Sequence, residues 1–229
     1  MSFSDFVVPV AHWVACTESE GPGRRCAIWF QGCPFRCPGC CNPEMLPFEG
    51  GTPTLLSELC RRMDVAVDEY GIEGITFLGG EPLAHARAAA ALARFAQSRD
   101  LSVMVFTGYT LEQANELSDD CVGELLACTD ILVDGLYERD APDRERRWIG
   151  SANQKIHFLT TRHSADDPCW RRPNTLEIRL DATGLSVHGF PAIRAAGLWR
   201  ELAKRSRAQV TDSHTENSPK REPARESHG

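Results

Sequence analysis

The chain has 229 residues, 42% of them hydrophobic and 25% charged, with a formal net charge of -7. That length supports one domain with a proper core plus appendages, and the acidic balance excludes nucleic acid as the main partner, since phosphate binding needs a concentrated basic face. The start, MSFSDFVVPV, lacks the basic opening and apolar core of a signal peptide, and no apolar run reaches membrane-spanning length. The expectation is therefore a cytoplasmic protein without a membrane partner, whose ten cysteines are metal ligands or free thiols rather than disulfides.

Taken in chain order, Phe6 to Val14 and Cys26 to Gln31 read as strands, separated by the loop ESEGPGRR. Arg24 and Arg25 of that loop read as solvated charges. Thr52 and Pro53 are expected to open a helix in which Leu55, Leu59, Met63 and Val67 recur every fourth residue, with Gly71 closing it. Ile75 to Leu78 is a short buried strand, Ala84 to Ser98 an alanine-rich helix, and Leu101 to Phe106 a strand. Thr110 and Gln113 form a capping box for the next helix. Asp130 to Val133 and Lys155 to Leu159 are further strands. Alternation of this kind predicts an α/β fold: a parallel sheet with right-handed crossover helices, here an incomplete, TIM-like barrel.

The last third changes character. Leu176, Ile178 and Leu180 alternate, DATG supplies a turn, and Leu185 and Val187 alternate again, which predicts a β-hairpin. Pro191 begins a final helix through about Lys204. The remainder has too few apolar residues to bury and is expected to be disordered. The expected organisation is thus a core over residues 1–161, a hairpin-and-helix extension over 162–204 and a disordered tail over 205–229.

The chemistry is concentrated in CPFRCPGC, where Cys33, Cys37 and Cys40 follow the strand-like AIWFQG at C-x3-C-x2-C spacing. Three thiolates on one short loop can each take one corner of a 4Fe-4S cube, leaving the fourth iron open for a ligand. A structural zinc site would need a fourth ligand, normally in a second C-x2-C pair, and none is present. Cys41 adjoins Cys40 and adjacent side chains point apart, so Cys40 is taken as the ligand, with a C-x3-C-x3-C set using Cys41 as the alternative. This spacing resembles that of radical S-adenosylmethionine (SAM) enzymes, which implies SAM as a second cofactor, bound through its amino and carboxylate groups to the open iron.

A second motif, ITFLGGEP, ends a strand with Gly79, Gly80 and Glu81. Ligands of parallel α/β sheets bind beyond the carboxyl ends of the strands, glycines let a ligand approach the backbone, and Glu81 can accept hydrogen bonds from an ammonium group. Alone, GGEP reads as a turn; after the cysteine motif it becomes a SAM site.

Together GPGRRCAIWFQGCPFRCPGCCNPE, LGGEP, FTGYTLEQ, ILVDG and GSANQ resemble, in order, the activating proteins of anaerobic ribonucleotide reductases, relatives of pyruvate formate-lyase activating enzyme, over about Ser2 to Thr161. The resemblance implies that Cys33, Cys37 and Cys40 hold the cluster, that Gly79, Gly80 and Glu81 receive the SAM ammonium, and that Thr107, Asp134, Ser151 and Asn153 line the SAM pocket. The implied reaction is hydrogen abstraction from a glycine of a partner such as anaerobic ribonucleotide reductase, with flavodoxin or ferredoxin as electron donor.

Plain alternatives stand beside these roles. Thr107 can end a strand, Asp134 can form a turn with Gly135, and Asn153 can cap a strand end. Gly39 stands where many radical SAM enzymes carry an aromatic residue, a departure shared with the reductase activators. Two other functions remain open: a radical SAM enzyme acting on a peptide or metabolite, and a non-catalytic iron-sulfur electron carrier.

Overall fold

The computed structural model describes residues 5–181 and 184–189. Nine strands and four α-helices follow one another among the described residues: β1 (Val7–Thr17), β2 (Arg25–Phe30), β3 (Thr52–Leu55), α1 (Leu56–Tyr70), β4 (Gly74–Gly79), α2 (Ala86–Gln97), β5 (Ser102–Phe106), α3 (Leu111–Glu116), α4 (Asp120–Ala127), β6 (Ile131–Asp134), β7 (Lys155–Phe158), β8 (Leu176–Asp181) and β9 (Gly184–Gly189). Seven of the strands form one sheet in the order β3-β1-β2-β4-β5-β6-β7. Its centre, β2-β4-β5-β6, is parallel, and these strands are buried along almost their whole length, as strands covered on both faces must be.

Both flanks of the sheet depart from the all-parallel expectation. β1 runs antiparallel to β2, and β7 antiparallel to β6. A parallel return needs a crossover, usually a helix, whereas the chain from β6 to β7 contains none and comes straight back. A second correction concerns Thr52 and Pro53. They open a strand, β3, which pairs with β1 at the sheet edge, and the helix starts only at Leu56. Proline disfavours helical backbone in the residue before it and is tolerated on an edge strand. Helix α1 consequently buries Leu56, Leu59, Cys60, Met63 and Ala66, while Leu55 is exposed. Gly71 ends it as expected, at φ 57. Ala84 and His85, expected as the start of the alanine-rich helix, belong instead to a 3-10 turn, Pro82–His85, ahead of α2.

All four α-helices contribute to one apolar cluster on one face of the sheet, with Ile28, Phe30, Phe77, Val103 and Val105. The alanines of α2 let it lie close to that face. The opposite face carries Ala27, Trp29, Leu78, Met104, Ile131 and Val133, covered by Met45, Trp148, Ile149 and Trp170, with no residue from an α-helix. Among the described residues no helix is long and apolar enough to cross a membrane.

The described residues group into two compact units, one running to Glu177 and taking in His188 and Gly189, the other holding Ile178–Val187. The expected hairpin is present, β8 pairing with β9. Ala182 and Thr183 of the expected turn, the helix expected from Pro191 and the tail over 205–229 lie outside the described residues.

Candidate functional site

Strands β2, β4, β5 and β6 end side by side at Phe30, Gly79, Phe106 and Asp134, so the segments that follow them meet at one edge of the sheet. These segments are the cysteine loop, GEP, TGYT and the loop that GSANQ closes. Parallel topology thus gathers four separated motifs.

The cysteine loop is pinned at its base. Gly32 N–H donates to Met45 O at 2.9 Å and Cys33 N–H to Leu46 O at 3.0 Å, while the buried Gln31 side chain donates to Glu44 O and Pro47 O at 3.1 and 2.7 Å. Within the loop Cys40 N–H donates to Cys37 O at 3.1 Å, and Gly39 takes a φ of 77° that favours glycine. All three thiols are free, Cys33 buried and Cys37 and Cys40 half-buried; Cys41 is exposed as a residue, but its thiol faces inward and burial pushes it up to about 12. Burial pushes the Cys33 thiol up to about 11 and raises that of Cys40, so iron binding must displace their protons. Among the described residues no three Cys, His, Asp or Glu side chains are gathered as a single metal ion would need. Three thiols on one loop nevertheless fit an iron-sulfur cube, which asks each thiolate to meet a different iron.

GGEP lies directly on that loop. Gly80 N–H donates to Phe30 O at 2.8 Å and Glu81 N–H to Gly32 O at 2.9 Å. The approach requires glycine: a Cβ on Gly80 would stand 2.2 Å from Gly32 O, and one on Gly79, at φ 105, 2.5 Å from Phe30 N. The Glu81 carboxyl is buried. Its Oε1 accepts from Leu83 N–H at 2.9 Å and from Thr107 Oγ1 at 2.8 Å, and its Oε2 accepts from Gly108 N–H at 2.8 Å. Burial raises its pKa to about 7 against the pull of those three donors. A carboxylate offers about four acceptor directions, so one is left.

Thr107 is buried and also accepts from Tyr109 N–H at 3.2 Å. Tyr109 meets Phe35 of the cysteine loop edge-on, ring centroids 4.8 Å apart. Asp134, buried, spends its carboxylate on the protein: Oδ2 accepts from Leu111 N–H at 2.7 Å and lies 2.8 Å from His157 Nε2, and Oδ1 accepts from Lys155 N–H at 3.3 Å. It fastens the start of α3 to β7.

Ser151 and Asn153 stand one step further out. Ser151 Oγ accepts from Glu138 N–H at 3.1 Å, and Asn153 Nδ2 donates to Leu136 O at 2.7 Å. A Cβ on Gly108 would meet Leu136 at 3.1 Å and Phe35 at 2.7 Å, so GSANQ reaches the site edge through Leu136. Gln154 completes the turn, accepting from Gly150 and Ser151 N–H and donating to Gly135 O, all at 3.1 Å.

Several residues escaped the sequence. Gln31, Gln154 and His157 have positioning roles that only contacts reveal. Arg25 is the plainest correction: it is fully buried, not solvated. Its guanidinium donates to Thr76 Oγ1, Pro22 O, Ser102 Oγ, Ile75 O and Ser102 O at 2.6–3.0 Å, and burial lowers its pKa to about 10. It ties β2, β4 and β5 at their amino ends, opposite the site.

Residues 19–157, which include every candidate site residue, match the model of the 4Fe-4S single cluster domain. The anaerobic ribonucleoside-triphosphate reductase-activating protein of Pasteurella multocida (strain Pm70) is 34% identical over 147 residues, 62% of this chain and 91% of that one. The proteins of the same name from Escherichia coli (strain K12) and Enterobacteria phage T4 are 31% and 28% identical, covering 92% and 88% of those chains and 61% and 62% of this one. The crystal structure of QueE from Escherichia coli is 18% identical with a TM-score of 0.36, over 45% of this chain and 54% of that one, a likeness too slight to carry weight. The chain therefore belongs to the 4Fe-4S single cluster domain family and to the family of anaerobic ribonucleoside-triphosphate reductase-activating proteins.

Proposed function

We propose that this protein is a radical SAM activating enzyme that removes a hydrogen atom from a glycine of an anaerobic ribonucleotide reductase. Cys33, Cys37 and Cys40 hold the 4Fe-4S cluster in this reading. When bound, cluster and SAM together supply a reducing electron and a carbon-centred radical able to take the hydrogen. The observation that carries the reading is the backbone zip between the two motifs, Gly80 N–H to Phe30 O and Glu81 N–H to Gly32 O, which sets GGEP against the base of the cysteine loop.

The chain's own groups have definable tasks. Glu81 offers its remaining acceptor direction to the SAM ammonium, beside the carbonyls of Gly79 and Gly80. Thr107 holds the Glu81 carboxylate in place, and Asp134, Ser151 and Asn153 position the far wall through α3, β7 and Leu136. Trp29, Leu78 and Phe106 on the helix-free face supply an apolar surface that keeps water from the reacting atoms. We take the sheet as an arc of an incomplete barrel. Helices on one face only support this, since a doubly wound sheet carries them on both. Flavodoxin or ferredoxin is the proposed donor, and a cytoplasm that keeps thiols reduced is the proposed compartment.

The test is anaerobic reconstitution with reductant, SAM and the cognate reductase. The expected result is 5'-deoxyadenosine together with a glycyl-radical doublet in electron paramagnetic resonance. SAM cleavage without the doublet would move the substrate to a peptide or metabolite; neither product would leave an electron carrier.

A further inference from the structure

At the amino ends of the central strands, opposite the cysteine loop, lies a cavity of about 200 Å³ lined by Arg24, Arg147, Trp148 and Arg172, with Glu18 and Glu73 also at its wall. We propose that this cavity is a binding site for a phosphate group. It is separate from the SAM site by the length of β4, about 17 Å at the rise of a strand.

Two buried donors point to a missing ligand. Arg147 is only 8% exposed and Trp148 1%, and neither Arg147 Nε nor Trp148 Nε1 has a hydrogen-bond partner among the described residues. Buried polar groups without partners are uncommon in native proteins and call for an explanation such as a ligand. The Arg147 guanidinium lies 4.3 Å over the Trp148 ring, and its Nη2 donates only to uncharged oxygens, Glu18 O at 3.3 Å and Thr175 Oγ1 at 3.2 Å.

Charge supports the same assignment. Among the described residues none of Arg24, Arg147 and Arg172 forms an ion pair. Burial and, further, the nearby Arg172 guanidinium hold the Arg147 pKa below the ordinary range, a cost an anion would relieve. Glu18 and Glu73 are exposed, and Glu73 Oε2 is engaged in accepting from Arg24 N–H at 3.1 Å, so the wall keeps one more positive than negative charge. In a chain of net charge -7 that is a local reversal. Three guanidinium forks from separate segments suit a tetrahedral oxyanion, which accepts from several directions, better than a planar carboxylate. The volume admits a phosphate group but not a whole nucleotide.

The experiment is calorimetric titration of the intact, cluster-loaded protein with sodium phosphate, ATP and sodium acetate at constant ionic strength. Phosphate is expected to bind, Arg172→Gln to weaken it about tenfold, and Arg147→Gln to abolish it. Arg171→Gln, an exposed neighbour outside the cavity, is expected to change nothing. Should Arg147→Gln fail to fold, the exposed Arg172 still decides. Binding of inorganic phosphate assigns the cavity to the free ion, and binding of ATP alone assigns it to a phosphate carried on a larger molecule. No binding of either, equal binding of acetate, or equal loss in the Arg171 and Arg172 variants would overturn the proposal.

Discussion

Thr107 Oγ1 donates a 2.8 Å hydrogen bond to Glu81 Oε1, joining the residue after β5 to the motif after β4. The bond leaves Glu81 one acceptor direction and fixes where it points. Thr107→Val should therefore weaken SAM binding roughly tenfold, the worth of one hydrogen bond to a charged group. Glu81→Gln should weaken it further by removing the charge proposed to meet the ammonium. Equilibrium binding of SAM to the cluster-loaded protein measures both, and unchanged affinity in both variants would make GGEP only a turn.

Replacing Cys33, Cys37 or Cys40 by Ala should abolish stable 4Fe-4S loading, since the proposed arrangement gives each thiolate its own iron. Cys41→Ala should keep iron and sulfide near wild-type content. A cluster lost in the Cys41 variant and kept in the Cys40 variant would transfer the third ligand to Cys41.

Gly80→Ala is expected to lose both SAM binding and iron, because its Cβ would press on Gly32 O at 2.2 Å and displace the base of the cysteine loop. Gly123→Ala is the contrasting control: nothing lies within 4 Å of its Cβ, and alanine in mid-helix should raise stability by about 0.5–1 kcal/mol. Iron analysis and urea unfolding separate the two outcomes.

Arg25→Ala should destabilise the fold by about 3–5 kcal/mol, as it strands several buried acceptors and leaves a void. A change below 1 kcal/mol in urea unfolding would show that the guanidinium network is dispensable.

Glu20 is buried with Oε1 accepting from Gly189 N–H at 2.7 Å, and burial raises its pKa from 4.5 to about 8. The folded protein keeps this proton after the unfolded chain has released it. Its contribution to stability is thus complete below about pH 4.5 and is lost as pH rises through about 8. Glu20→Gln keeps the acceptor without the proton equilibrium and should flatten the fall in melting temperature between pH 5 and 8, by the same linkage. Parallel pH profiles of wild type and variant would mean that Glu20 is already ionised at pH 5.

The amino-acid sequence by itself determined what depends on local spacing and residue chemistry. The three thiols of CPFRCPGC, the glycines of GGEP, the αL cap at Gly71 and the capping box of Thr110 and Gln113 need only neighbours within a few residues. Tertiary structure alone decided the rest. Arg25 looks like any loop arginine until β4 and β5 bring Thr76 and Ser102 around it, and Thr52 and Pro53 became a strand because β1 offered an edge for pairing. β7 turned antiparallel because its connection carries no helix, a matter of chain path rather than of the residues in KIHF. Asp134 and Glu81, both expected at the SAM site, differ in the partners that tertiary structure gives them: the first meets Leu111, His157 and Lys155, the second Leu83, Thr107 and Gly108. Burial and long-range hydrogen bonds arise from segments distant in the chain, and no local pattern encodes them.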